Sequence, residues 1–452
     1  MNKKSLTEIL SEFVVATKYE NFPEKTVNIA KLSLLDFYGS TIAGSSTKAG
    51  KIFLDSIGYL DGKGESTILG NGNKTTSLIA AFINAGCCHI LEFDDIHKGS
   101  TVHPGAPIIP VCIALAEKHN LSGKRLIEAI VTGYEIAIRI GEAVNPSHYY
   151  YWHNTGTCGV FGAAAAAGKL LDLNKTQLVH ALGNAGSIAA GLWEFISEGA
   201  MTKHLHPANA AKNGIIVSLL AKKGFTGSKY ILEGKKGFFN AMAKNADKNK
   251  IINDLGVSYK IDENCFKLYP SCRHTHPPID AILLLKEKYN IKTSEIKKIM
   301  IETYSATLEI ASNCNPKSIY EAKFSVPYCV AIALSFGKPK LEHFKDELIN
   351  DKIIKKIIEK TDLVLSSTIE KEYPNKWPAK AIIITNENKT FEEYVEYPIG
   401  DFENPADEQM LIEKNRDLLR PIIGDGITDK VINTILEIDN IENLNMLNEM
   451  LI

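Results

Sequence analysis

Four short polar segments of this 452-residue chain hold the residue types that proton-transfer chemistry needs. The first runs Leu91-Glu92-Phe93-Asp94-Asp95-Ile96-His97 and on to His103-Pro104-Gly105. Three acids at the end of an apolar helix are expensive near a core unless something pairs with them. Asp94 and Asp95 also fit a plainer use, as helix-end solvation or a cap for the next helix. A helix opening near Pro107 would offer its N–H groups and dipole to a carboxylate ligand. The second segment is Tyr149-Tyr150-Tyr151-Trp152-His153-Asn154-Thr155-Gly156-Thr157-Cys158-Gly159. Its glycines would let a backbone approach a ligand closely. His153 among aromatics equally fits a packed loop residue.

The third segment is Gly199-Ala200-Met201-Thr202-Lys203-His204-Leu205-His206-Pro207. A lysine between apolar helices can bind a carboxylate, or act as a base once desolvation lowers its pKa. A surface lysine is the plain alternative. The fourth is Tyr269-Pro270-Ser271-Cys272-Arg273-His274-Thr275-His276-Pro277-Pro278, at an expected domain junction where small-molecule sites are common. Arg273 there could clamp a carboxylate through paired N–H bonds.

Other chemistries find less support. His204-x-His206 and His274-x-His276 raise a metal reading, but neither pair stands in a clear strand, and no HExxH or cysteine-rich zinc spacing occurs. No metal is expected. GxGxxG, GxxxxGK[ST] and GxSxG patterns are absent, which argues against nucleotide binding and serine hydrolysis. With 51 basic and 53 acidic side chains the net charge is -2, without the basic excess of a nucleic-acid binder. No signal-peptide core follows the N-terminus and no run of about 18 apolar residues occurs, so no membrane partner is expected. The eight cysteines form no CxxC pair, and reduced, buried thiols in the cytoplasm are the expectation.

The elements that must position these segments are mainly helices. Ser5-x-x-Glu8 is a capping-box pattern, and Pro23 suits the first turn of a second helix ending toward Gly39. Further helices are expected at 78–91, 107–118, 124–143, 156–171, 175–195 and 208–222, several of them rich in Ala and Gly. Strands are expected at 296–303, 381–385 and 393–397, the last two joined across 386–389, with helices at 278–289, 325–336 and 351–359. The resulting fold class is mainly α: a discontinuous all-helical domain (1–267 and 401–452) with an inserted α+β domain at 268–400.

Taken together, the segments resemble the MmgE/PrpD family over essentially the whole chain. The resemblance rests on Glu92-Phe93-Asp94-Asp95 with His103-Pro104-Gly105, His153 to Gly159, Thr202 to Pro207, Gly224-Phe225-Thr226-Gly227, Tyr269 to Arg273, Ala322-Lys323-Phe324-Ser325 and Gly400-Asp401. It implies a large helical domain with an α+β lid, assembled as a homodimer. It also implies an activity such as 2-methylcitrate dehydration, cis-aconitate decarboxylation or iminodisuccinate epimerisation, none of which needs a cofactor.

By that similarity the catalytic set is Glu92, Asp95, His103, His153, Lys203 and His276. Asp94, Thr155, Arg273, His274 and Tyr328 would contact substrate. Lys203 and Arg273 would hold carboxylates, His103 and His153 would move the proton, and Glu92 or Asp95 would orient a histidine. Glu92 stands where an aspartate is common, and Ile96 where threonine is frequent, so the pocket should be reshaped. A cofactor-independent lyase acting on a small di- or tricarboxylate is the leading expectation. An epimerase or isomerase of an iminodisuccinate-like acid is the alternative, and a non-catalytic helical binding protein the lesser one.

Overall fold

A computed structural model describes residues 4–56 and 62–451 of the chain. It divides into two compact units, one formed by the described residues up to Phe266 together with those from Asp407 onward, the other by Lys267–Ala406. The protein is mainly α.

The first unit opens with α1 (Leu6–Ala16). Ser5 accepts from Glu8 N–H, while the Glu8 carboxylate accepts from Ser5 N–H at 2.8 Å, so both orphan donors of the first turn are satisfied. α2 (Glu24–Ser45) passes through Gly39, where the sequence pattern suggested an end. Nearly every residue from Leu32 on is buried, and tertiary packing overrides the local signal. α3 (Ser77–Cys88), α4 (Gly105–Lys118), α5 (Gly123–Val144), α6 (Gly159–Leu170), α7 (Lys175–Ser187) and α8 (Thr202–Lys222) complete this stretch.

Two of these helices depart from expectation where function is concerned. α7 stops at Ser187 instead of continuing to residue 195; past its cap at Ile188, Gly191 takes φ +142° before a short 3₁₀ turn at Trp193–Ser197. α8 begins at Thr202, six residues before the expected start, with Pro207 inside it. Lys203, His204 and His206 therefore project from its first two turns instead of from a loop.

Alanines 163–167 on α6 are fully buried, and the small-residue pattern has a plain cause in backbone proximity. At Gly214 on α8 an added Cβ would lie 2.5 Å from Ala163 Cβ. Interiors packed at crystal density leave no slack for such a methyl.

The second unit carries α9 (His276–Tyr289), α10 (Val326–Phe336) and α11 (Lys352–Ile358). Its sheet has β1 (Ile296–Thr303), β2 (Thr361–Leu365), β3 (Ala379–Thr385) and β4 (Thr390–Val395) in the order β2-β1-β3-β4. β1 and β2 are parallel; β1–β3 and β3–β4 are antiparallel. The β3–β4 turn lies at 386–389 as expected, but β4 starts three residues earlier than 393, since Thr385 and Lys389 already pair across the turn at 2.9 Å. β2 escaped the sequence reading because Thr-Asp-Leu-Val-Leu is a short edge strand with little burial and no clear alternation.

The chain then returns to the first unit as α12 (Glu408–Ile423) and α13 (Asp425–Leu436). Lys414 on α12 ion-pairs with Asp36 on α2 and donates to the carbonyl of Phe93 at 2.7 Å. This late segment thereby holds the acidic stretch that follows α3.

Gly214→Ala should lower unfolding free energy by about 1–3 kcal/mol through overpacking. Gly426→Ala, whose added Cβ meets nothing within 4 Å, should raise it by at most about 1 kcal/mol. Urea midpoints of the two variants check the opposite signs.

Candidate active site

At the end of α3 the chain makes a 3₁₀ turn, His89–Leu91, and Glu92 then enters the left-handed region at φ 55°. For a residue with a Cβ this costs roughly 1–2 kcal/mol. What offsets it is an ion pair with Lys203 from the first turn of α8, in which Glu92 is 1% and Lys203 2% exposed. Neither charge would be tolerable there alone.

Asp94, two residues on, turns toward imidazoles. Its Oδ2 accepts from His89 Nδ1 at 2.7 Å and lies 3.3 Å from His103 Nδ1. Burial by itself would raise the Asp94 carboxyl, but His89 and His103 outweigh it and hold the group well below the usual carboxylate range. Asp95 turns the other way. Its Oδ1 accepts from Gly105 N–H at 3.0 Å, and its Oδ2 from Tyr134 at 2.7 Å and Asn264 at 2.8 Å. The carboxylate at the start of α4 is thus the protein's own. Burial, then the charge of Asp36, pushes Asp95 up to about 7.

The imidazoles form one cluster. His89 stacks on His153 (centroids 5.4 Å apart, 20° between planes) and meets His103 edge-on at 4.8 Å. His153 Nδ1 is 3.1 Å from His206 Nδ1, and Trp193 covers the His153 ring at 4.9 Å. Burial, with the neighbouring His89, His206, Lys203 and His103, holds His153 well below the ordinary imidazole value. His206 falls to about 4, again by burial first and then by His89 and Lys203. A cavity of about 730 Å³ reaches His206, lined also by Trp152, Phe195, Leu205, Asn209 and Asn213. Glu194 and Glu198 also line this cavity, and Glu92 and Asp94 stand in the cluster, so the groups that suit a polycarboxylate are Lys203 and the neutral imidazoles. A polycarboxylate bound beside Lys203 would draw protons onto the neutral rings.

Thr155 takes no direct part in the cluster; its Oγ1 accepts from the backbone N–H of His103 at 3.1 Å. Gly156 brings its backbone close to protein, not to an open ligand space. An added Cβ would stand 2.6 Å from the Ala190 carbonyl oxygen and 3.1 Å from His206 Cβ. For a metal, His89, Asp94 and His103 offer three ligand atoms within 4.8 Å of one another, as do His97, Glu142 and Glu263. Lys260 already pairs with both of those glutamates at 3.1 Å.

In the second unit Arg273 ion-pairs with Asp401 and donates to His276 Nδ1 at 2.8 Å, so its fork is engaged by protein groups. An accepting Nδ1 leaves the His276 proton on Nε2. His274 stacks on Trp377 (4.5 Å, 9°) and bonds Tyr304 at 2.7 Å; burial, then Lys267, lowers it to about 3. The Tyr328 hydroxyl donates to the His343 carbonyl at 2.6 Å.

Residues 8–250 match the MmgE/PrpD N-terminal domain and residues 269–438 the MmgE/PrpD C-terminal domain. The chain belongs to the MmgE/PrpD family. Relatives along its length include the cis-aconitate decarboxylase-like protein oryM of Aspergillus oryzae (strain ATCC 42149 / RIB 40), 25% identical over 96% of this chain and 95% of that one. The cis-aconitate decarboxylase of Homo sapiens is 25% identical over 100% of this chain and 95% of its own. The 2-methylcitrate dehydratase of Escherichia coli (strain K12) is 25% identical over 53% of this chain and 52% of its own.

Of the residues singled out in this MmgE/PrpD sequence, Glu92, Asp94, His103, His153 and Lys203 converge in the first unit. The carboxylate that touches His103 is Asp94, not Glu92 or Asp95, because the left-handed turn at Glu92 sends successive acids to different partners. His89 escaped notice because it reads as the last turn of an apolar helix. A histidine three and five residues before two acids was the available signal.

Because Asp95 is held near 7 in the folded protein, it takes up a proton on folding between about pH 4 and 7. Its contribution therefore weakens the fold as pH rises through that window. Asp95→Asn should gain stability relative to the parent from pH 4 to 7, by up to roughly 4 kcal/mol, and run parallel above it. Thermal melts across pH check this, and a constant difference would contradict it.

Proposed function

We propose that this chain is a lyase, a decarboxylase or dehydratase of a small di- or tricarboxylate such as cis-aconitate or 2-methylcitrate. The observation that carries the reading is the buried Glu92–Lys203 pair set among imidazoles held in their neutral form. Lys203 binds a substrate carboxylate. His103 and His153 move the proton at the adjacent carbon. In decarboxylation the C–C bond to one carboxylate breaks, carbon dioxide leaves, and the electron pair left behind spreads toward a neighbouring carboxylate until an imidazolium returns a proton to carbon. In dehydration an imidazole first takes the carbon-bound proton, and hydroxide then leaves with a proton from an acid. Decarboxylation is favoured, since relatives named for it run the length of the chain while those named for dehydration match about half of it.

Arg273, His274, His276 and Tyr328 belong to the proposal as the second unit's contribution to the same reaction, with that unit acting as a lid. The reaction needs no metal or organic cofactor, and the protein works as a cytoplasmic homodimer. No described helix is long and apolar enough to cross a membrane.

Chelator-treated protein should turn over cis-aconitate or 2-methylcitrate, with the decarboxylated or dehydrated product seen by proton NMR. Deuterium exchange into iminodisuccinate without net product would instead identify an epimerase, and turnover lost with the chelated metal would remove the cofactor-free reading. Lys203→Met and His103→Ala should each lose at least about 10²-fold in turnover with the fold intact; full activity in both would refute the site. Light scattering should give twice the chain mass of 49.8 kDa.

A further inference from the structure

We propose that His89 is a positioning residue which, through Asp94, fixes the proton of His103 on Nδ1 and leaves Nε2 as the atom that exchanges protons. This rests on the reading above, in which His103 moves a proton in the reaction. His89 is completely buried, on the 3₁₀ turn that follows α3. Its Nδ1 and that of His103 face the same carboxylate oxygen, Asp94 Oδ2, at 2.7 and 3.3 Å. An ionised carboxylate only accepts, so His89 Nδ1, bonded to it at 2.7 Å, carries hydrogen. The 3.3 Å approach of His103 Nδ1 is a close charged contact and not an aligned hydrogen bond. A bare lone pair facing the carboxylate there would be repelled, which favours hydrogen on that nitrogen. The His89 ring cannot rotate away, since His153 stacks on it and His103 meets it edge-on.

Two further atoms argue that this trio is more than packing. His89 Nε2 and Asp94 Oδ1 are buried without a hydrogen-bond partner among the described residues. Each such atom costs about 1–3 kcal/mol. A scaffold under no other demand would place an apolar side chain at 89. The 2.7 Å His89–Asp94 separation is a hydrogen bond's, whereas the 3.3 Å between His103 and Asp94 equals that of two ligands about 2.0–2.1 Å from one tetrahedral zinc, so zinc content is measured alongside the kinetics.

The titratable and charged groups around the trio are Asp36, Asp95, Cys88 and Lys414, together with Glu92, Lys203, His153, His204 and His206. His89→Ala also removes the neighbour that, after burial, most lowers His153 and His206, so those rings rise as well. Whether His89 is a neutral donor or a cation, its loss leaves Asp94 a stronger partner for a protonated His103. The proton on His103 is then held more tightly, and whichever limb of the pH–rate profile His103 governs moves to higher pH.

The test compares His89→Ala, His89→Asn and Asp94→Asn with the parent on the acid it turns over. His89→Ala should lower kcat by about 10-fold or more with KM within about twofold, and shift that limb upward by about 0.5. His89→Asn, whose side-chain N–H can replace the Nδ1 donor, should recover most of both. In an Asp94→Asn background His89→Ala should cost nothing further, the mark of two residues acting as one. Parental kinetics in His89→Ala would overturn the proposal, as would equal losses with and without Asp94, or no recovery by asparagine. Stoichiometric zinc in the purified protein, removed together with activity, would also overturn it. If the parent turns over none of the acids, the functional reading fails by itself. The relay is then read from ¹⁵N-histidine NMR, where His103 must be Nδ1-protonated in the parent and a tautomer mixture in His89→Ala.

Discussion

Placing two opposite charges, Glu92 and Lys203, beyond the reach of water constrains everything around them. Each ion alone would cost several kcal/mol to bury, and their attraction repays this only while the geometry is held. Glu92 reaches Lys203 by accepting a left-handed backbone, which no hydrogen bond in a regular helix would tolerate. The next residues are pinned in turn: the Phe93 carbonyl by Lys414, Asp94 by two imidazoles and Asp95 by three donors. The helical unit is rigid where the acids are because many buried polar groups must be satisfied at once.

The same constraint explains the imidazoles. A buried pair close to neutral overall cannot support further charge, so His153 and His206 are kept unprotonated by burial and by their cationic neighbours. They differ in this from surface histidines, which share charge with water. Their basicity is latent and is released by an incoming anion. In the proposed reaction, binding and proton transfer are coupled through charge.

Much of this was legible in the chain because charged residues in Gly- and Pro-marked breaks between apolar helices need a reason to be there. The helices themselves were legible from spacing and caps, as at Ser5 and Asp407, where the cap side chains accept the expected N–H groups. What spacing cannot reveal is direction. Glu92, Asp94 and Asp95 are near neighbours, yet they face a lysine, two histidines and a helix start, and only the turn at φ 55° decides which. The start of α8 was hidden by Pro207, a helix breaker by propensity that is tolerated here inside the helix. His89 was hidden by its apolar context. Arg273 promised a free carboxylate clamp, but Asp401 lies 128 residues further on, a pairing no local pattern announces.

The central claim is that the cluster is a receptor for a polycarboxylate whose charge brings protons onto buried imidazoles. Isothermal titration calorimetry with tricarballylate, a saturated tricarboxylate that can neither dehydrate nor decarboxylate readily, measures this directly when repeated in buffers of different ionisation enthalpy. The account predicts saturable binding at pH 7 with net proton uptake approaching about half a proton per site, since two lowered imidazoles that rise toward their ordinary value of about 6.5 would each become about a quarter protonated near the bound anion. Binding with no proton uptake, or no binding at all, would contradict it.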